Sequence, residues 1–237
     1  MSELKPQVYK DDRPAEAFAK FHERSRTRDP DWVYGAVRFV TSTIALLFYR
    51  IRAYGRENVP SDGAVILAPN HASNMDHFFC GVYLKQQIRF MAKSQLFAKN
   101  PILTFIYTHG GVFPIRRGHR DEEAFKTAFT ILDRGGCMLM YPEGGRSRTP
   151  GELGDPKPGI GRIALESGAP VVPVAVINSD RVRRWRKFDF PTIRVSYGEP
   201  ISFPVEKDAS RERQQEVSEE IFAHVRRLHA DLKTRYS

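Results

Sequence analysis

Three short stretches carry residues that could do chemistry together, and each follows an apolar run. The first is Asn70-His71-Ala72-Ser73-Asn74-Met75-Asp76, directly after Ala64–Pro69. A histidine at a strand end, followed five residues later by an aspartate where a helix opens, can form an imidazole–carboxylate pair. The carboxylate would fix the tautomer and stabilise the imidazolium, leaving the other nitrogen to take a proton from a hydroxyl. Histidine suits a base working near neutral pH. The same spacing alone also fits Asp76 as a helix N-cap beside an incidental turn histidine.

The second stretch is Gly110-Gly111-Val112-Phe113-Pro114-Ile115-Arg116-Arg117-Gly118, where two arginines leave a strand into a glycine turn. Guanidinium groups placed so can grip a phosphate through paired, charge-assisted hydrogen bonds. The third is Tyr141-Pro142-Glu143-Gly144-Gly145-Arg146-Ser147-Arg148, an acid and two glycines followed by basic and hydroxyl groups. Either arginine cluster alone reads equally well as a solvated loop. All three behind strands in one chain point to a shared site, because ligands in open α/β sheets bind beyond the carboxyl ends of the strands.

The elements that must position these residues alternate in type. Ala64–Pro69, Ile88–Ala92, Val112–Ile115, Cys137–Tyr141, Pro170–Ile177 and Thr192–Tyr197 read as strands. Asp76–Lys85, Ser94–Tyr107, Asp121–Arg134 and Gly159–Gly168 read as helices. Ser210–Leu232 reads as an amphipathic helix with Val217, Ile221, Val225 and Leu228 facing inward. The pattern predicts an α/β fold: a mostly parallel central sheet flanked by helices.

Composition narrows the class. The chain has 237 residues, 41% of them hydrophobic and 27% charged, which excludes collagen-like and disordered proteins. Cys80 and Cys137, without a C-x-x-C motif, form neither a disulfide scaffold nor a zinc signature and suit a reducing compartment. A net charge of +9 draws the protein toward polyanions. No RNA-binding aromatic motif, zinc finger or helix-turn-helix is evident, so nucleic acid is not an expected partner. The first 30 residues alternate acids and bases, and no secretory leader is expected.

One segment reads as membrane-associated. Of the 17 residues from Val33 to Tyr49, 12 are Val, Ala, Ile, Leu, Phe or Tyr, interrupted by Arg38 and by Thr41, Ser42 and Thr43. A spanning helix wants about 20 mostly apolar residues, so a helix lying in one leaflet is the better fit, with Val33, Val37, Val40, Ile44 and Leu47 as its apolar face. A buried packing helix is the competing reading. The basic run Arg181–Lys187, with Trp185 at its centre, would add contact with anionic headgroups. The expected division is residues 1–50 as a helical membrane-association segment and 51–237 as a catalytic domain.

The three stretches together resemble the glycerolipid acyltransferase family of the lysophosphatidic acid acyltransferase type. Asn70, His71 and Asp76 match its Asn-His-x-x-x-x-Asp block, and Gly111–Arg117 is similar to its Gly-x-Ile-Phe-Ile-Asp-Arg block, with Arg116 in place of Asp. Tyr141–Ser147 matches Phe-Pro-Glu-Gly-Thr-Arg-Ser, with Gly145 in place of Thr, and Ala169–Val174 resembles the fourth, proline-containing apolar block. The resemblance implies acyl transfer from acyl-CoA or acyl carrier protein to a glycerolipid hydroxyl at the cytoplasmic face of the cell membrane, as a peripheral or monotopic protein. It implies His71 and Asp76 as catalytic residues, with Arg117 and Lys93 binding the acceptor phosphate and Glu143, Gly144, Arg146 and Ser147 shaping its site; Arg116, from its place beside Arg117, is expected to bind substrate too. Direct attack by the acceptor needs no enzyme nucleophile, cofactor or metal. The expected product is phosphatidic acid from 1-acylglycerol-3-phosphate; glycerol-3-phosphate, another lysophospholipid, or non-catalytic lipid binding are the alternatives.

Overall fold

A computed structural model describes residues 11–97, 100–117, 121–147, 149, 151–182 and 188–236. Seven strands form one sheet: β1 (Arg52–Tyr54), β2 (Val65–Pro69), β3 (Ile88–Lys93), β4 (Val112–Ile115), β5 (Cys137–Leu139), β6 (Val171–Ile177) and β7 (Arg194–Tyr197). The helices are α1 (Ala19–Thr27), α2 (Trp32–Leu47), α3 (Asp76–Gly81), α4 (Pro101–His109), α5 (Glu122–Asp133), α6 (Gly159–Ser167) and α7 (Arg211–Tyr236). The strand order is β1-β7-β6-β2-β5-β3-β4, and every neighbouring pair is parallel except β6–β7. The mostly parallel α/β architecture read from the sequence is the one found.

Alternation along the central strands divides the core into two layers. In β2, Val65 and Leu67 face one cluster with Phe79, Cys80 and Ile88, while Ile66 and Ala68 face another with Ala128, Ile131, Ile163 and Val217. In β5, Cys137 and Leu139 join the first cluster and Met138 the second. Both faces are covered, so β2 is buried at every position.

Several expected boundaries move, each for a local reason. The predicted helix Ser94–Tyr107 is a 3-10 turn at Ser94–Leu96 and then α4. Asn100 caps α4 by accepting from the backbone of Ile102 and Leu103, and Pro101 occupies its first turn. The helix predicted to reach Lys85 ends at Gly81; the carbonyls of Leu84 and Lys85 instead accept from the Arg38 guanidinium. Two elements have no counterpart in the sequence reading. β1 is three residues held by pairing with β7, and α1 is polar overall but seats Phe21, with Phe18 just before it, beside Phe97 and Val112.

Helix α2 is apolar around most of its circumference, as its sequence indicates, but its stripe is not a single inward or outward face. Val33 and Ala45 are buried, whereas Trp32, Phe39, Val40, Ile44, Leu46 and Leu47 are exposed. Exposed Ile102, Leu103 and Phe105 of α4, which packs beside α2, add to this surface. Among the described residues, no helix is long and apolar enough to cross a membrane.

On the other side, α7 lies against α6 and β6. Val217, Ile221 and Val225 are buried as expected from their spacing, and Leu228 is partly so. The closest approach is at Gly161, whose N–H donates to Ser218 Oγ at 3.0 Å. A β-carbon there would sit 1.9 Å from the Gln214 carbonyl oxygen. Gly161→Ala should therefore push α6 and α7 apart and lower stability by about 3 kcal/mol, the upper part of the range for overpacking. Urea unfolding checks this, and a wild-type midpoint would contradict the packing.

Candidate active site

Four parallel strands, β2, β5, β3 and β4, lie side by side in that order. Their carboxyl ends therefore share one edge of the sheet, and each of the chemistry-bearing stretches begins there. The chain after β2 turns so tightly that Asp76, at the start of α3, returns to the backbone it has just left. Its Oδ2 accepts from Ala72 N–H at 2.8 Å, from Ser73 N–H at 2.7 Å and from His71 Nδ1 at 2.9 Å. A carboxylate is an acceptor only, so Nδ1 carries the proton and Nε2 presents a lone pair. Asp76 is fully buried, while the His71 side chain retains 11% exposure.

Asn70 anchors the start of this turn. Its side-chain oxygen accepts from Val176 N–H at 2.7 Å and its amide donates to the Val176 carbonyl at 3.0 Å, continuing the β2–β6 ladder past the end of β2. Glu143 anchors the opposite side. Its Oε1 accepts from His71 N–H and its Oε2 from Gly154 N–H, each at 2.7 Å. Burial pushes its carboxyl above the usual glutamate range, opposed by these two donors. Gly154 permits the approach, since a β-carbon there would lie 2.8 Å from Oε2. Ser147 N–H donates to the His71 carbonyl at 2.9 Å, and Ser147 Oγ donates to the Thr149 carbonyl. Gly144 takes φ 64°, a left-handed conformation that favours glycine.

The cationic residues distribute differently. Lys93 ends β3 in register with Ile115 of β4, so it stands beside the strand that leads into Arg116 and Arg117. Arg117 reaches the β5 loop, with its guanidinium 3.5 Å from where a Gly145 β-carbon would be. Arg116 is turned toward buried Asp121, which accepts from its backbone N–H at 2.7 Å and lies 3.8 Å from its Nε. Arg146 is exposed. Gly118 and Arg148, quoted in the sequence motifs, lie outside the described residues.

Tyr141 was matched to a motif but given no role by its sequence position. Its ring stacks on His71 with centroids 3.7 Å apart and planes inclined by 17°. Its hydroxyl is buried with no hydrogen-bond partner among the described residues, and burial holds it well above the ordinary phenol range. Aromatic stacking and the Asp76 hydrogen bond thus fix two independent rotations of the imidazole. His77 is adjacent and half-buried; burial, with His71 nearby, pulls it to about 3, so it stays neutral. His77 lines a largely apolar cavity of about 80 Å³ with Val37, Thr41, Phe78, Phe90 and Ile106.

A family model described as Acyltransferase matches residues 50–177, which include all four motif blocks. The chain belongs to the acyltransferase family. Among acyltransferase relatives, it is 30% identical over 138 residues to the chloroplastic 1-acyl-sn-glycerol-3-phosphate acyltransferase BAT2 of Brassica napus, covering 57% of this chain and 39% of that one. It is 32% identical over 126 residues to the 1-acyl-sn-glycerol-3-phosphate acyltransferase of Bacillus subtilis, covering 53% and 61%. The chain thus spans between about two fifths and three fifths of the length of these curated relatives. The fold is also that of the 1-acyl-sn-glycerophosphate (LPA) acyltransferase PlsC from Thermotoga maritima, with a TM-score of 0.68, 24% identity, and coverage of 92% of this chain and 89% of that one.

The Tyr141 stack can be tested by stability alone. Tyr141→Phe keeps the ring and removes an unpaired buried hydroxyl, so stability should hold or rise by up to about 1 kcal/mol. Tyr141→Ala should cost about 3 kcal/mol. Thermal unfolding in which Phe proves as damaging as Ala would show that the hydroxyl, not the stacked ring, is what the fold requires.

Proposed function

We propose that this acyltransferase moves a fatty acyl group from a thioester donor, acyl-CoA or acyl carrier protein, to the free hydroxyl of 1-acylglycerol-3-phosphate, forming phosphatidic acid for phospholipid synthesis. The observation that carries this reading is the His71–Asp76 pair. It is set on the sheet edge that also bears Lys93 and Arg117. His71 Nε2 takes the acceptor's hydroxyl proton as the oxygen attacks the thioester carbonyl. The tetrahedral adduct then collapses, the carbon–sulfur bond breaks, and the departing sulfur takes the proton from the imidazolium. Asp76 holds the imidazole in the reactive tautomer and offsets its positive charge in the transition state.

The acceptor phosphate is assigned to Arg117, with Lys93 beside it. Arg116 is engaged with Asp121 and contributes to phosphate binding by holding the loop that carries Arg117. Glu143, Gly144, Arg146 and Ser147 shape the acceptor site, Glu143 from beneath through its two backbone hydrogen bonds. No cofactor is invoked.

Peripheral attachment at an anionic membrane, on the cytoplasmic face, belongs to the same proposal. Phe39 is 74% and Leu47 69% exposed on α2, and Ile102 of α4 is 69% exposed. A continuous apolar surface of this kind marks an interaction site rather than ordinary surface, and long-chain lipid substrates reside in bilayers. Of the basic run Arg181–Lys187, residues 183–187 lie outside the described residues.

Acyl transfer by purified protein should be measured as thiol release with lysophosphatidate and a panel including glycerol-3-phosphate. His71→Ala and Asp76→Ala should each reduce turnover by about 10²–10⁴-fold. Arg117→Ala should raise the acceptor KM far more than the donor KM, and Arg117→Lys should recover little because a point charge replaces a fork. Wild-type turnover by a folded His71→Ala protein would falsify the mechanism.

Vesicle sedimentation addresses the membrane surface separately. Phe39→Asp with Leu47→Asp should abolish most binding to phosphatidylserine-containing vesicles while leaving the unfolding temperature nearly unchanged, since both side chains are already exposed. Undiminished sedimentation of that variant would remove α2 from the attachment surface.

A further inference from the structure

On the β6 side of His71 there is a second, larger cavity of about 690 Å³. Its size falls within the range of roughly 300–1,000 Å³ typical of small-molecule sites. Its walls include Asn70 and Ala72, the residues on either side of His71, together with Val176 and Ile177 at the end of β6, the Gly151–Glu152 loop and the last turns of α7. Lys93, on β3, and Arg117, just after β4, lie on the other side of β2 in the sheet order. A transfer between two substrates at one imidazole needs two approaches, and this cavity, walled by the chain neighbours of His71, lies on the side that the acceptor assignment leaves unused.

The wall chemistry specifies what would fit. His229 lines the cavity and is 8% exposed. Burial, with the Lys233 charge nearby, pulls it down to about 4. It is therefore a neutral imidazole, able to donate one hydrogen bond and accept another. Exposed Arg181 and Lys233, whose ammonium donates to the Gly151 carbonyl, add positive charge to the cavity. Asp180 and Glu152 line it too, which disfavours a ligand charged along its whole length. The match is a slender molecule with amides and hydroxyls along an otherwise apolar body and a phosphate at one end.

We propose that this cavity receives the phosphopantetheine arm of the acyl donor, its thioester end toward His71 and its phosphate toward Arg181 and Lys233, with His229 reading an amide in between. The inference rests on the acyl-transfer reading above and adds to it the place and the chemistry of donor recognition. Acyl-CoA and acyl carrier protein share this arm, so the site serves either.

Calorimetric titration of free CoA into the whole protein tests binding without requiring turnover. His229→Leu and Arg181→Ala should each weaken CoA by about three- to tenfold, the loss of one hydrogen bond or one rim charge. His229→Gln should keep most of the affinity because an amide still donates and accepts. Arg181 is exposed, so its variant tests the site even if His229→Leu fails to fold, which thermal unfolding would reveal. In kinetics with acyl-CoA and with acyl carrier protein as separate donors, the same variants should raise the KM of whichever donor is used and leave the lysolipid KM unchanged. CoA affinity equal to wild type in both Arg181→Ala and a folded His229→Leu would overturn the assignment, as would a rise confined to the lysolipid KM. CoA binding that follows these variants in a protein without acyl transfer would instead uphold the cavity and reject the proposed reaction.

Discussion

Asp76 has left water completely, and a carboxylate in that position is unfavourable unless other donors replace the solvent. One oxygen, Oδ2, collects all three replacements, two from the backbone of the turn it closes and one from His71. The turn, the orientation of the histidine and the start of α3 are consequently one structural unit. None can change without stranding the charge. Asn70 and Glu143 extend the unit outward, tying it to β6 on one side and to the loop after β5 on the other. The site is held in place because each supporting side chain, Asp76, Asn70 and Glu143, is tied to backbone groups of the turn and its neighbours.

The sheet order turns separate stretches of sequence into one place. Residues 70–76 and 141–147 are far apart in the chain, yet β2 and β5 are adjacent and parallel, so their exits meet. Glu143 and Tyr141 then approach the same histidine from two directions, one on its backbone N–H and one on its ring face. β3 and β4 bring the cations in from beyond β5. The antiparallel β7 and the long α7 close the other flank, and with it the wall of the larger cavity.

What could be read in the sequence tracks how local each determinant is. β2, β5 and β6 were visible as apolar runs because both their faces are buried. The His71–Asp76 pair was legible only together with the other motif blocks, since its five-residue spacing alone also fits a helix N-cap beside a turn histidine. β1 was not, because Arg52-Ala53-Tyr54 has no pattern of its own and exists through pairing with residues 194–196. α1 was hidden for a similar reason: its charges are matched by partners distant in sequence, such as Arg26 with Glu123. Tyr141 against His71 and the place of His229 in the wall of the larger cavity are tertiary facts without a spacing to announce them. Arg38 looked like a polar break in an apolar helix and is instead the ligand for carbonyls at the end of the α3 segment.

The pairing of β1 with β7 has a consequence during synthesis. Tyr54 and Ser196 are partners, separated by more than half of the chain. At about 5–20 residues per second, the ribosome needs roughly 7–30 s to make the intervening segment. β2 likewise waits for β5 and β6 before either of its edges is covered. Through that interval the nascent chain carries finished apolar strands with open edges, a state in which edge-to-edge association competes with folding. The order in which these strands are threaded through the sheet therefore makes the emerging chain more exposed to aggregation than the finished protein, and a slower stretch of translation after residue 197 would do little to protect it.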